Sequence, residues 1–189
     1  MSNIFKDSQH GFAISRLAPN QGMFIMGESY FPTGTATESR IVYTSEEEAT
    51  TELMSSLGMV REFYAPTTLK RISAAAFMQQ PLLEKVVLSD ALTYIGDSAF
   101  VDCPNLAQIN LNKVEFIGEE AFVVDVALRE VHLDSAKTIL GGAFAGCTNL
   151  VVYLNDNVEE VGESAFAEVA HLYYNGSLPG APWGATAWN

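Results

Sequence analysis

The residues able to do chemistry in this chain are few and far apart. Three histidines, His10, His132 and His171, fall in different regions, so a Ser/His/Asp arrangement would need a long-range coincidence. Two cysteines, Cys103 and Cys147, form no Cys-x-x-Cys pair of the kind that builds zinc sites. The run Gly141-Gly142-Ala143-Phe144-Ala145-Gly146 is glycine-rich, but it is no phosphate loop. No aspartate-rich loop of the kind Ca²⁺ prefers is present, and the carboxylates are scattered. The chemistry points away from an enzyme, and no metal or other cofactor is expected.

What organises the chain is an apolar period. Ala-Phe pairs end at Phe77, Phe100, Phe122, Phe144 and Phe166, in steps of 23, 22, 22 and 22 residues. Five residues before each Phe stands Ile72, Ile95, Ile117, Ile139 or Val161, and six after it Leu83, Leu106, Leu128, Leu150 or Leu172. A fixed period of this length is the mark of a solenoid, and leucine-rich repeats fall in the range. The glycine-rich run lies on the same register. The expected fold is a β-rich solenoid of 22–23-residue leucine-rich repeats with short parallel strands, a small N-terminal β segment and one capping helix.

Taken in order, residues 1–44 lie outside the period. Residues 11–17, 22–26 and 41–43 read as short strands, with a turn at 18–21 and a loop at 32–39. Residues 45–58 read as a capping helix: Ser45 and Glu48 form a capping box, and Gly58 ends it. A degenerate first repeat begins near Val60, and the solenoid runs over 59–175. Strands are predicted at 83–88, 106–111 and 128–133. The next copy departs from the pattern, with a bulge or one-residue shift expected at Asn155. Residues 176–189, with Trp183 and Trp188, should fold over the last repeat as a C-terminal cap. Strands of successive turns lie ~4.8 Å apart, so the phenylalanines should form an interior spine. Cys103 and Cys147 share one slot two turns apart, ~10 Å, which is too far for a disulfide.

Composition narrows the partners. The net charge of -13 argues against nucleic acid, and Lys137 is the last basic residue before an acidic end. The uncharged stretch 138–155 has the length of a membrane span, but its glycines and its repeat register exclude that reading. The N-terminus shows no signal peptide, so a cytoplasmic or virion-associated location is expected, with the cell surface reached only by another route.

These motifs carry a resemblance. Ile95-Gly96 with Ala99-Phe100 and Cys103, Ile117-Gly118 with Ala121-Phe122, Ala143-Phe144 with Cys147, and Val161-Gly162 with Ala165-Phe166 are similar to the BspA-type leucine-rich-repeat family over about residues 59–189. The resemblance implies a right-handed β-solenoid with binding or adhesion roles, of the kind found on bacterial and protist surfaces and in some phage proteins.

Solenoids bind through extended faces. The expected binding face comprises the outward strand positions Lys85, Val87, Gln108, Asn110, Glu130, His132, Val152 and Tyr174, and its expected partner is a protein or glycan. The alternative is a structural component of a larger assembly such as a phage virion. That component would self-associate or dock through residues 1–44 by Phe12, Ile14, Phe24, Tyr30, Phe31 and Tyr43, because the segment holds more apolar side chains than 44 residues can bury alone.

Overall fold

An Ala-Phe pair at each interval of 22 or 23 residues returns the chain to the same depth once per turn. In the computed structural model it does so as a β-solenoid of about six turns with almost no helix among the described residues. Residues 47–51, 54, 60–179 and 183–186 are described in full, and residues 3–7, 12–16, 22–29, 38–44, 182 and 187 by backbone only.

The strands are β1 (Asn3–Asp7), β2 (Phe12–Arg16), β3 (Gly22–Ser29), β4 (Glu38–Thr44), β5 (Glu48–Ala49), β6 (Glu62–Tyr64), β7 (Arg71–Ile72), β8 (Lys85–Val87), β9 (Tyr94–Ile95), β10 (Gln108–Ile109), β11 (Phe116–Ile117), β12 (Glu130–Leu133), β13 (Thr138–Ile139), β14 (Val151–Asn155), β15 (Glu160–Val161), β16 (His171–Asn175) and β17 (Thr186–Ala187). Each turn contributes one strand to a broad face, the even-numbered β6 to β16. It contributes another to a narrow ladder, the odd-numbered β5 to β15. Within each ladder the repeat strands pair in parallel.

The spine lies between the ladders. Phe77, Phe100, Phe122, Phe144 and Phe166 stack ring on ring at 4.9, 5.0, 5.0 and 5.9 Å, and Phe63 closes the column edge-on at 4.8 Å from Phe77. That spacing matches the strand-to-strand step, so the rings stay in register with the backbone. Each buried ring contributes roughly 1.5–3 kcal/mol. The glycines that follow Ile95, Ile117 and Val161 have a steric cause: a Cβ on Gly118 would lie 2.5 Å from the Asp97 nitrogen of the preceding turn.

The Ala-Phe segment makes its bend with left-handed residues at fixed places, two before and two after the Phe. These are Ala75 and Gln79, Ser98 and Asp102, Glu120 and Val124, Gly142 and Gly146, and Ser164 and Glu168, all with φ between 54° and 75°. Glycine carries this conformation without strain, so the glycine-rich run at 141–146 fills a backbone requirement that other turns meet with less suited residues. Val124, a β-branched side chain at φ 58°, is the most strained of them.

Three features bear on the expectations: the capping box is overturned, the N-terminal strand order is new, and of the two alternatives at Asn155 the shift holds. First, Glu48 is not in the first turn of a helix. It lies in β5, paired with Arg71 in β7, and Ser73 Oγ donates to its carboxylate at 2.7 Å. Sheet extension thus outcompetes the capping box, and only Thr51 and Met54 are described as helical, Ser45 and Gly58 lying outside the described residues. Second, β2 and β3 are not partners. β4 lies between them, parallel to β2 and antiparallel to β3, and β3 pairs antiparallel with β6, so the N-terminal strands extend the broad face. Third, the irregularity near Asn155 is a shift, with no bulge. Val131 pairs with Val152 and Val152 with Leu172, so the strand offset falls to 21 and then 20 residues while the Phe steps stay at 22. β14 runs unbroken through Asn155.

Candidate binding face

On a strand with one buried face, alternate residues must point out. On β8, β10 and β12 the outward residues are Lys85 and Val87, Gln108 and Asn110, and Glu130 and His132, as the period predicts; none is buried. The shift in offset inverts the next two strands. Val152 and Tyr174, expected outside, are core residues at 0% and 6% exposure. Tyr153 and Tyr173 take the outward places, because a one-residue slip exchanges the two faces of a strand.

The inversion builds an aromatic column. His132 stacks on Tyr153 at 4.6 Å and Tyr153 on Tyr173 at 5.3 Å, with His171 beside Tyr173 at 6.0 Å. Glu130 Oε1 lies 2.9 Å from His132 Nε2. At the other end of the face Tyr64 donates to Glu62 at 2.8 Å and Lys85 sits 5.7 Å above the Tyr64 ring.

Between these halves the face is open. β1, β2, β4, β3, β6, β8 and β10 form one seven-stranded sheet and β12, β14, β16 and β17 a separate four-stranded sheet, with no ladder joining β10 to β12. The cause is local. Asn110 turns its amide toward the preceding turn: its Nδ2 donates to Leu88 O at 2.9 Å and its Oδ1 accepts from Leu88 N at 2.7 Å. Asparagine competes for backbone groups in this way and pairs poorly in strands. The seam holds a groove of about 460 Å³ lined by Lys85, Val87, Gln108, Asn110, Arg129 and Glu130. A second of about 400 Å³ lies beside Asn112, His132 and Asp134.

A further row, not anticipated from the sequence, runs along the narrow ladder. Arg71 lies 3.6 Å above the Tyr94 ring, and Tyr94 stacks on Phe116 at 4.6 Å. Its sequence signal is the residue immediately before each inward Ile.

Of the residues expected to dock, Phe12 and Ile14 lie in β2, Phe24 in β3 and Tyr43 in β4. Tyr30 and Phe31 lie outside the described residues, as does Trp188.

Cys103 and Cys147 are free and buried, and their thiols donate to Phe77 O and Phe122 O at 3.1 and 2.9 Å. Burial pushes both up to about 12, so neither is a thiolate at neutral pH. Asp125 occupies the same slot in the turn between them. It is fully buried, its Oδ1 accepts from Cys103 N at 2.8 Å, and its Oδ2 has no partner. Burial raises this carboxyl to about 9, against the lowering effect of the Cys103 N–H. Among the described residues no group of three or more His, Cys, Asp or Glu converges to hold a metal, and no helix is long and apolar enough to cross a membrane.

The BspA type leucine-rich repeat region matches the chain in six copies over residues 53–173, while no curated protein matches it. Six matched copies and six stacked turns agree, and leucine-rich repeats of this kind are generally non-catalytic modules that bind proteins. The chain belongs to the BspA-type leucine-rich-repeat family.

Proposed function

We propose that the protein is a non-catalytic binding or adhesion module that recognises a partner on its broad face, with the seam between β10 and β12 at the centre. The carrying observation is that seam: a groove of about 460 Å³ at the one break in the repeat strands of that face. Strand edges that do not pair with each other offer backbone donors and acceptors to an extended segment, and Lys85, Arg129 and Glu130 add charges of both signs. These features favour a protein over a glycan. The test is a peptide display selection and a glycan array, run on the natural protein and on Ala107→Trp, which fills the groove. Ligands selected on the natural protein should lose about tenfold or more in affinity on the variant. Ligands indifferent to the variant would sink the reading, and hits confined to the glycan array would replace the protein partner with a sugar.

A second reading, a structural part of a larger assembly such as a virion, is favoured by the position of β1. It is the outer strand of the seven-stranded sheet and pairs only with β2, and edges of that kind invite pairing with another chain. Ile4→Pro and Phe5→Pro should then abolish self-association seen by light scattering. A natural protein that stays monomeric at high concentration and joins no assembly removes this reading.

A further inference from the structure

The Ala-Phe segments of successive turns are joined by hydrogen bonds that all run one way. In each Ala-Phe segment three N–H groups, on the Phe and on the residues two before and two after it, donate to carbonyls of the following turn. Ser98, Phe100 and Asp102 donate to Glu119, Ala121 and Val123. Glu120, Phe122 and Val124 donate to Gly141, Ala143 and Ala145, and Gly142, Phe144 and Gly146 to Glu163, Ala165 and Ala167. The peptide units are therefore aligned in three columns along the stack, and their dipoles add as they do in a helix.

The last described turn has the same three donors, and no further turn follows it among the described residues. The N–H groups of Ser164, Phe166 and Glu168 have no acceptor among the described residues. β15 beside them is the edge of the narrow sheet, since β17 extends only the broad face. The edge is open: Glu163, Ser164 and Glu168 are exposed, and a cavity of about 330 Å³ lies there between Gly162, Ala165, Phe166 and Trp183. The charge near it is mainly negative. Glu159, Glu160, Glu163 and Glu168 lie on this last turn, and the last Lys or Arg of the sequence, Lys137, lies one turn back beside Glu159.

We propose that this end of the solenoid docks a basic extended segment of a partner protein. Backbone carbonyls at two-residue spacing take the N–H groups of Ser164, Phe166 and Glu168, and the segment's Lys or Arg side chains meet Glu163 and Glu168. An anion fits the donors but not the carboxylates around them. A second copy of this chain does not fit either. Its own acidic end would set donors against donors and Glu against Glu. At its first turn Ala74 O, one of the carbonyls that would meet these donors, already accepts from Thr51 Oγ1.

This surface is independent of the seam, and so is its test. The probe is an acetylated, amidated Lys-Thr peptide of four repeats, with a Glu-Thr peptide as control, titrated at low salt because screening weakens exposed charges. Binding of the Lys-Thr peptide should slow hydrogen exchange at the Ser164, Phe166 and Glu168 amides by about tenfold. The double substitution Glu163→Gln and Glu168→Gln should weaken binding about tenfold, while Ala107→Trp at the seam leaves it unchanged. The proposal is overturned if the peptide does not bind, if it binds without protecting those three amides, or if the double variant binds it equally well. Self-association through this end would also overturn it.

Discussion

The two ladders of this solenoid share one Phe spine, yet the narrow ladder runs unbroken from β5 to β15 while the broad face divides between β10 and β12. The spine does not account for the difference, because the rings stand 5.0 Å apart both at the seam, Phe100 to Phe122, and beyond it, Phe122 to Phe144. The outward residues do. On the narrow ladder Glu48, Arg71 and Tyr94 each meet a suitable neighbour one turn on. On the broad face Asn110 pairs backward with Leu88, and β12 pairs with β14 but not with β10. Core periodicity stacks the turns, and surface residues decide whether the strands join.

The strongest way to break that comparison is to remove what the two ladders share. Phe122→Ala opens a cavity in mid-stack and should cost roughly 3–5 kcal/mol in denaturant unfolding. A loss under about 1 kcal/mol would show that the ring is not part of a common core.

The next test concerns Asp125, the one acid buried among the described residues. Asp125 ionises near 9 in the folded protein against a reference of 3.8, so the native state holds a proton that the unfolded chain releases. Its contribution is full below pH ~4 and is lost as pH rises to about 9, at up to about 1.4 kcal/mol per pH unit. Asp125→Asn should flatten the stability profile between these limits, and the thiols enter only above them. An unchanged slope would mean that the carboxyl is hydrated. Because Asp125 lies in the spine layer, under both ladders, its ionisation should loosen them together.

The smallest effect sharpens the comparison most. Asn110→Val removes the backward amide pair and supplies a β-branched residue opposite His132, for a gain of roughly 0.5–1 kcal/mol. The amide of Glu130 should then become protected from hydrogen exchange as the seam closes. A seam that stays open would place its cause elsewhere than in the outward residue.

The layers of the molecule were legible in the sequence to different degrees. The stack, the spine and the buried cysteines follow from three apolar positions per period, because burial repeats strictly. Asp125 shares the cysteine slot, but a polar residue breaks an apolar pattern and so escapes it. Val152 and Tyr174 were misplaced because the Phe steps stay at 22 while the strand offset shortens, and parity on a strand turns on a single residue. The insertion of β4 between β2 and β3 depends on long-range pairing that no local signal marks. The capping box at Ser45 was a true local pattern, but Glu48 gained more from joining the narrow ladder.

Uniform stacking also means that distance along this molecule is counted in whole steps. The seam and the acidic end sit a fixed number of turns apart. A second copy of residues 119–140 placed after Leu140 would separate them by one further strand spacing, ~4.8 Å, leaving the chemistry of each unchanged. The solenoid is in this sense a ruler, and repeat number is the setting by which the interval between its two surfaces can be adjusted.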